Sequence, residues 1–150
     1  ERAAEGYVGF HHHNFPECFV CGPERGDDDG LRIFPGAVPS GKAVAAPWIP
    51  SESLTDSASG TVAPEFVWAA LDCPGYFGLM STEFSALLGR MTAHIRQLPE
   101  VNQSYVVMGW PIDEEGRKLH VGSAVFSGDG ELFASARATW IRVDPTKYNQ

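Results

Sequence analysis

Residues 64–80 read PEFVWAALDCPGYFGLM, and no other stretch constrains the fold as much. Pro64 suits the first position of a helix, and Glu65 falls in a first turn where the helix dipole favours an acid. Phe66, Val67, Trp68, Ala69, Ala70 and Leu71 then put apolar side chains in every direction around the axis. A helix apolar all round is a buried one, and this chain of 150 residues has no set of other helices to hide it. Something else has to wrap it. Within the apolar run stands a single carboxylate, Asp72, and Cys73, Pro74 and Gly75 behind it kink or end the first helical section.

The wrapping is found in the period-two text on either side. Leu87, Gly89, Met91, Ala93 and Ile95 alternate with Leu88, Arg90, Thr92, His94 and Arg96, which predicts a strand over 87–96. Residues 104–112 (SYVVMGWPI) predict the next strand, followed by a turn at 113–116. Residues 118–126 (KLHVGSAVF) follow, closed by the hairpin signal SGDG at 127–130, and residues 131–143 form the last strand. Upstream, a turn at 27–30 leads into a short alternating strand at 31–34, then a loop over 35–41. Residues 42–49 (KAVAAPWI) read as a second strand, in which Pro47 marks an edge or bulge. A Ser-rich connection over 50–60 leads to the helix. The order is β-β-α-β-β-β-β, an α+β arrangement in which an antiparallel sheet wraps one long buried helix. No internal repeat is present, so residues 1–150 read as one domain with an N-terminal lead-in over 1–30.

Charge narrows the partners. The chain carries 11 basic and 19 acidic residues, a net charge of -8, whereas nucleic-acid binders gather Lys and Arg on one face. No apolar run reaches the roughly 18 residues that a membrane span needs. Neither nucleic acid nor membrane is expected as a partner. Three cysteines are too few for a disulfide framework, and a reducing cytoplasm is the expected location.

Those cysteines pose a question of their own, because Cys18 and Cys21 form a C-x-x-C pair shortly after His11, His12 and His13. A closed zinc site needs four ligands, and strong signatures show two ligand pairs at regular spacing. Here the second pair would come from three consecutive histidines that alternate in direction, or from distant Cys73. A thioredoxin-like role lacks the surrounding βαβ pattern. The expectation is a compact turn holding two small thiols, with no metal and no cofactor.

With these elements in place the chain resembles the hot-dog fold, in which a sheet curls around one helix. More closely, residues 63–78 (APEFVWAALDCPGYFG) resemble the helix of acyl-CoA thioesterases of the phenylacetate-pathway type. That family's pattern there is His-Gly-Gly, six residues, then Asp, and Asp72 falls on its catalytic aspartate. Residues 18–34 (CFVCGPERGDDDGLRIF) are similar to a Cys-Phe-x-Cys-Gly…Gly-Leu segment before the first strand in part of the superfamily. The resemblance covers roughly residues 18–143, and it implies that the C-x-x-C shapes a turn near the acyl pocket. One departure stands out: Ala63-Pro64-Glu65 occupies the His-Gly-Gly position. Pro64 has no N–H, so the usual two-donor oxyanion hole cannot form, leaving the amide of Glu65 or Phe66. Loss of one such donor costs about 10²–10³ in rate.

The candidate residues follow, each with its plainer alternative. Asp72 can serve as base or nucleophile, or can simply form the turn ahead of Pro74. Glu65 is a second acid, or only a partner of the helix dipole. The resemblance implies that Asn14 orients substrate or water, as an Asn in that lead-in does in relatives; otherwise it caps a turn. Phe66 is one of several aromatic residues that either fill the core or line an acyl tunnel. Thr92 and His94 share a face of the third strand, which in the family supplies a polar side chain to the neighbouring subunit's site; otherwise they are structural. The resemblance also implies an acyl-CoA or related thioester as partner. It further implies a homodimer or dimer of dimers, joined by antiparallel pairing of two third strands over 85–97. Two functions stay open: an acyl-CoA thioesterase, or a non-catalytic hot-dog protein that binds an acyl thioester. A dehydratase would carry a His on or near the helix, and residues 64–80 contain none.

Overall fold

The computed structural model describes residues 2–27, 29–39, 41–55, 59–79 and 84–144. Parts of the expected 27–30 turn, 35–41 loop, Ser-rich connection and helical stretch (Asp28, Ser40, 56–58 and Met80) lie outside them. Among the described residues six strands form one antiparallel sheet: β1 (Gly36–Ala37), β2 (Val44–Trp48), β3 (Ser85–Ile95), β4 (Tyr105–Glu115), β5 (Lys118–Ser127) and β6 (Leu132–Val143). Their spatial order is β1-β2-β4-β5-β6-β3. Two short α-helices, α1 (Pro64–Ala70) and α2 (Cys73–Phe77), replace the single long helix. They part at Leu71–Asp72, just ahead of the interruption that Cys73-Pro74-Gly75 predicts. The expected hot-dog arrangement holds.

Two expected elements are corrected. Residues 31–34 belong to no strand, and Arg32 takes a left-handed backbone at φ 52° that a regular strand does not contain. The Leu31 and Ile33 amides donate to the Phe19 and Val20 carbonyls (2.7 and 2.9 Å), so the alternating burial comes from docking on the lead-in. The first strand is Gly36–Ala37, inside the expected loop. The turn at 113–116 also shrinks, because β4 continues through Glu115. Asp113, Glu114 and Glu115 pair with His120, Leu119 and Lys118, leaving Gly116 at φ 58° to turn the chain. Partners facing across the ladder (the Glu115–Lys118 ion pair, and the Asp113 carboxylate beside the His120 ring, both 3.7 Å) offset the poor strand propensity of acids. Pro47 is tolerated because β1 pairs only with Val44 and Ala45, leaving β2 an edge further along.

The helical segment is pressed onto the sheet by close backbone approach. A Cβ at Gly109 in β4 would collide with the Pro74 carbonyl, and one at Gly75 would lie 2.6 Å from a Val121 methyl. Buried Ser123 on β5 donates to the Leu71 carbonyl at 2.6 Å, satisfying one of the acceptors left free at the end of α1. These contacts fix the α1–α2 break against the sheet. Burial of α1 is one-sided: Val67 and Ala70 are buried, whereas Glu65 is exposed and Trp68 retains 39% of its surface. The sheet shields one flank and the lead-in another, with Phe19 packed on Phe66 at 5.9 Å between ring centroids.

The lead-in is part of the core. Tyr7 is 1% exposed, its hydroxyl donates to the Cys21 carbonyl at 2.9 Å, and its ring meets Phe77 edge-on at 4.8 Å. Such an aromatic pair contributes about 0.5–1.5 kcal/mol beyond the area it buries.

Candidate active site

A cavity of about 280 Å³ lies where the lead-in, the α1–α2 break and the β3–β6 pair meet. Tyr76, Phe77, Phe84, Leu87, Leu88 and Trp140 give it an apolar wall, and the lead-in adds His13, Asn14, Cys18 and Cys21. Asp72 and Cys73 complete the lining from the helix break.

Among the described residues Asp72 is the one carboxylate in that wall. It stands at the N-cap position of α2, yet its side chain makes no capping hydrogen bond. Pro74 lacks the N–H that a cap would use, and the Gly75 amide is taken by the Asp72 backbone carbonyl at 3.2 Å. Oδ1 is buried without a hydrogen-bond partner among the described residues. Burial, with the Cys18 sulfur nearby, pushes its pKa up to about 6. The turn-forming alternative therefore lacks the side-chain bond that would define it.

Beside Asp72 the three cysteines converge, all with free thiols. Cys18 Sγ lies 3.6 Å from Cys73 Sγ, and the three sulfurs all lie within 4.8 Å of one another. Hydrogen bonds from Cys21 and then Cys73 hold the Cys18 thiol far below its ordinary pKa. The same bonds to Cys18 and Cys21, together with burial, push Cys73 up. His13 Nε2 lies 3.3 Å from Cys21 Sγ, and His13 Nδ1 accepts the Phe15 amide at 2.9 Å. Desolvation lowers the His13 pKa and favours its neutral form. With Nδ1 accepting, that neutral ring carries its proton on Nε2 and donates it to Cys21.

The remaining expected residues divide. Asn14 lines the cavity, where its Nδ2 donates to Ser85 Oγ at 2.8 Å. Glu65 and Phe66 do not line it: Glu65 is exposed at the start of α1, and Phe66 packs in the main core. The Phe66 amide donates to the Ala63 carbonyl at 3.0 Å, which removes it as a carbonyl-polarising donor. Thr92 and His94 share a face of β3 as expected, but both are exposed and stand away from the cavity in the single chain. Sequence reasoning misses Trp140, which the pairing of β3 with β6 places in the cavity wall, and Ser85, which holds the Asn14 amide. It also sets Cys73 apart from the C-x-x-C, since 55 residues separate Cys18 from it.

No protein-family model matches the chain, and no curated protein matches it in sequence. Solved structures do match. A thioesterase superfamily protein superposes with a TM-score of 0.67 at 12% identity, covering 75% of this chain. The chain spans only about half of that protein's length, 54%. A phenylacetic acid degradation-related protein from Ralstonia eutropha gives 0.64 at 16% identity, covering 74% of this chain and 85% of the other. A Streptococcus mutans protein bound to acetyl-CoA gives 0.64 at 12%, covering 80% and 94%. The chain has the hot-dog fold of thioesterase-superfamily structures.

Proposed function

We propose that this protein is a thioesterase that hydrolyses a small or medium acyl thioester, with acyl-CoA as the substrate class. The observation that carries this reading is Asp72, a carboxylate with a buried oxygen, unpartnered among the described residues, in the wall of a largely apolar cavity. The acyl chain lies against Tyr76, Phe77, Leu87, Leu88 and Trp140, with the thioester at the helix break. Asp72 takes a proton from a water molecule, and the water oxygen attacks the thioester carbonyl carbon. The tetrahedral intermediate collapses with cleavage of the C–S bond, and the thiolate leaves and is protonated. The Asn14 amide, at the same wall, orients the carbonyl or the water. The acetyl-CoA-bound neighbour of the same fold supports a thioester ligand. Free thiols suit a reducing cytoplasm.

The active form is a homodimer or dimer of dimers built through β3. One sheet edge, β1, has two residues and is covered by the Ala4–Gly6 segment, since a Cβ at Gly36 would collide with the Ala3 carbonyl. The other edge, β3, has eleven residues and no covering strand among the described residues. Pairing there brings Thr92 and His94 toward a second copy.

A second reading has its own observation: neither Pro64 nor the bonded Phe66 amide offers an oxyanion donor. In it the cavity binds a thioester without cleaving it. Steady-state hydrolysis of acyl-CoAs of graded chain length, alongside calorimetric binding, separates the two. Turnover on any of them supports the thioesterase; tight binding with no turnover supports the carrier and overturns it.

A further inference from the structure

We propose that Cys18, Cys21 and Cys73 form a binding site for one thiophilic cation, Zn²⁺, in the cavity wall. The inference stands apart from the thioesterase reading and reverses the expectation that the C-x-x-C binds no metal. Tetrahedral zinc with Zn–S bonds of about 2.3 Å sets neighbouring sulfurs about 3.8 Å apart. Cys18 and Cys73 are 3.6 Å apart and no pair of the three exceeds 4.8 Å, so a small closure completes the trigonal face. Each donor is held by backbone packing. The Cys18–Cys21 turn is closed by the Gly22 amide on the Cys18 carbonyl at 2.8 Å, and a Cβ at Gly22 would collide with backbone atoms of Cys18 and Pro16. Cys73 is the first residue of α2, which is pressed onto β4.

Ligand chemistry selects the ion. Three thiolates favour zinc or other soft cations and disfavour magnesium and calcium, which require oxygen. His13 is not the fourth ligand in this geometry: its Nδ1 accepts the Phe15 amide, so its Nε2–H points charge-stabilising hydrogen bonding at Cys21 Sγ. The fourth position is therefore left to a water or a substrate atom, the three-ligand pattern that catalytic zinc sites use and closed structural sites do not. Binding releases the thiol protons to solvent.

The test uses the full chain, purified under reducing conditions without a metal-affinity step, since His11, His12 and His13 could retain metal from a column. Elemental analysis is expected to find about one zinc per chain. After chelation, Co²⁺ should restore a tetrahedral spectrum with sulfur-to-cobalt charge-transfer bands, which Zn²⁺ then displaces. Cys18 is the least buried of the three, so Cys18→Ser and Cys18→Ala are the informative variants, with circular dichroism to confirm folding. Both should weaken charge transfer and lower affinity at least tenfold. His13→Gln should lower affinity about 10–100-fold while leaving the charge-transfer bands in place. A folded, reduced protein that takes up no cobalt overturns the proposal. So does a cobalt spectrum without sulfur charge transfer, which would locate the metal at the histidine run, and so does one unchanged by Cys18→Ser, which would leave Cys18 out of the site. A disulfide-bonded chain that still binds no cobalt after reduction overturns it as well.

Discussion

At Asp72 a helix break, a proline and an apolar wall act on one carboxyl group. Pro74 removes the amide a cap would need, and burial disfavours the charge. The consequence for stability has a definite sign. A pKa raised from 3.8 to about 6 means the folded state holds the proton more tightly. The group favours folding fully below pH about 4, and that contribution is lost as pH rises through about 6. In the metal-free protein, Asp72→Asn should therefore be more stable than wild type at pH 8, by on the order of 1–3 kcal/mol, with the difference vanishing near pH 4. Thermal melts at both pH values check this, and a less stable variant at pH 8 contradicts it. Asp72 and Asn14 are legible in the sequence, one as a lone acid in an apolar run and the other through the family resemblance. Cys73 is not, because its partners are adjacent only after α2 folds onto the lead-in.

Elements are legible where one periodicity dominates. The alternation over 87–96 reports β3, where residues 91–95 alternate between half-buried and exposed, and the SGDG signal locates the last hairpin, where Gly130 takes φ 91°. Residues 31–34 mislead because a peptide docked on a turn buries alternate residues just as a strand does. The acids at 113–115 mislead because propensity ignores the charges across the ladder. The contact that matters most for the site, α2 on β4, leaves only glycines as its trace. Gly109→Ala should push on the Pro74 carbonyl, cost about 1–3 kcal/mol and reduce turnover, whereas Gly41→Ala, with open space around it, should do neither. Ser123→Ala leaves the Leu71 carbonyl without its partner and should cost about 1–3 kcal/mol, read from denaturant midpoints.

On the scale of the whole molecule, the proposed assembly rests on the eleven-residue β3 edge, which has no covering strand among the described residues. Light scattering at micromolar concentration should give the mass of two or four chains, and a monomer would contradict assembly through β3. The architecture is readable from element order, because a single apolar helical segment and six strands have few ways to bury each other. Chemistry is less readable, since the cavity is assembled from segments far apart in the chain. The proposed hydrolysis depends on Asp72 acting as the base. The direct measurement is kcat of Asp72→Asn on the best acyl-CoA, with substrate binding measured in parallel. A base at this position predicts a loss of about 10²–10⁴-fold with affinity nearly kept. Turnover within a few-fold of wild type would contradict it.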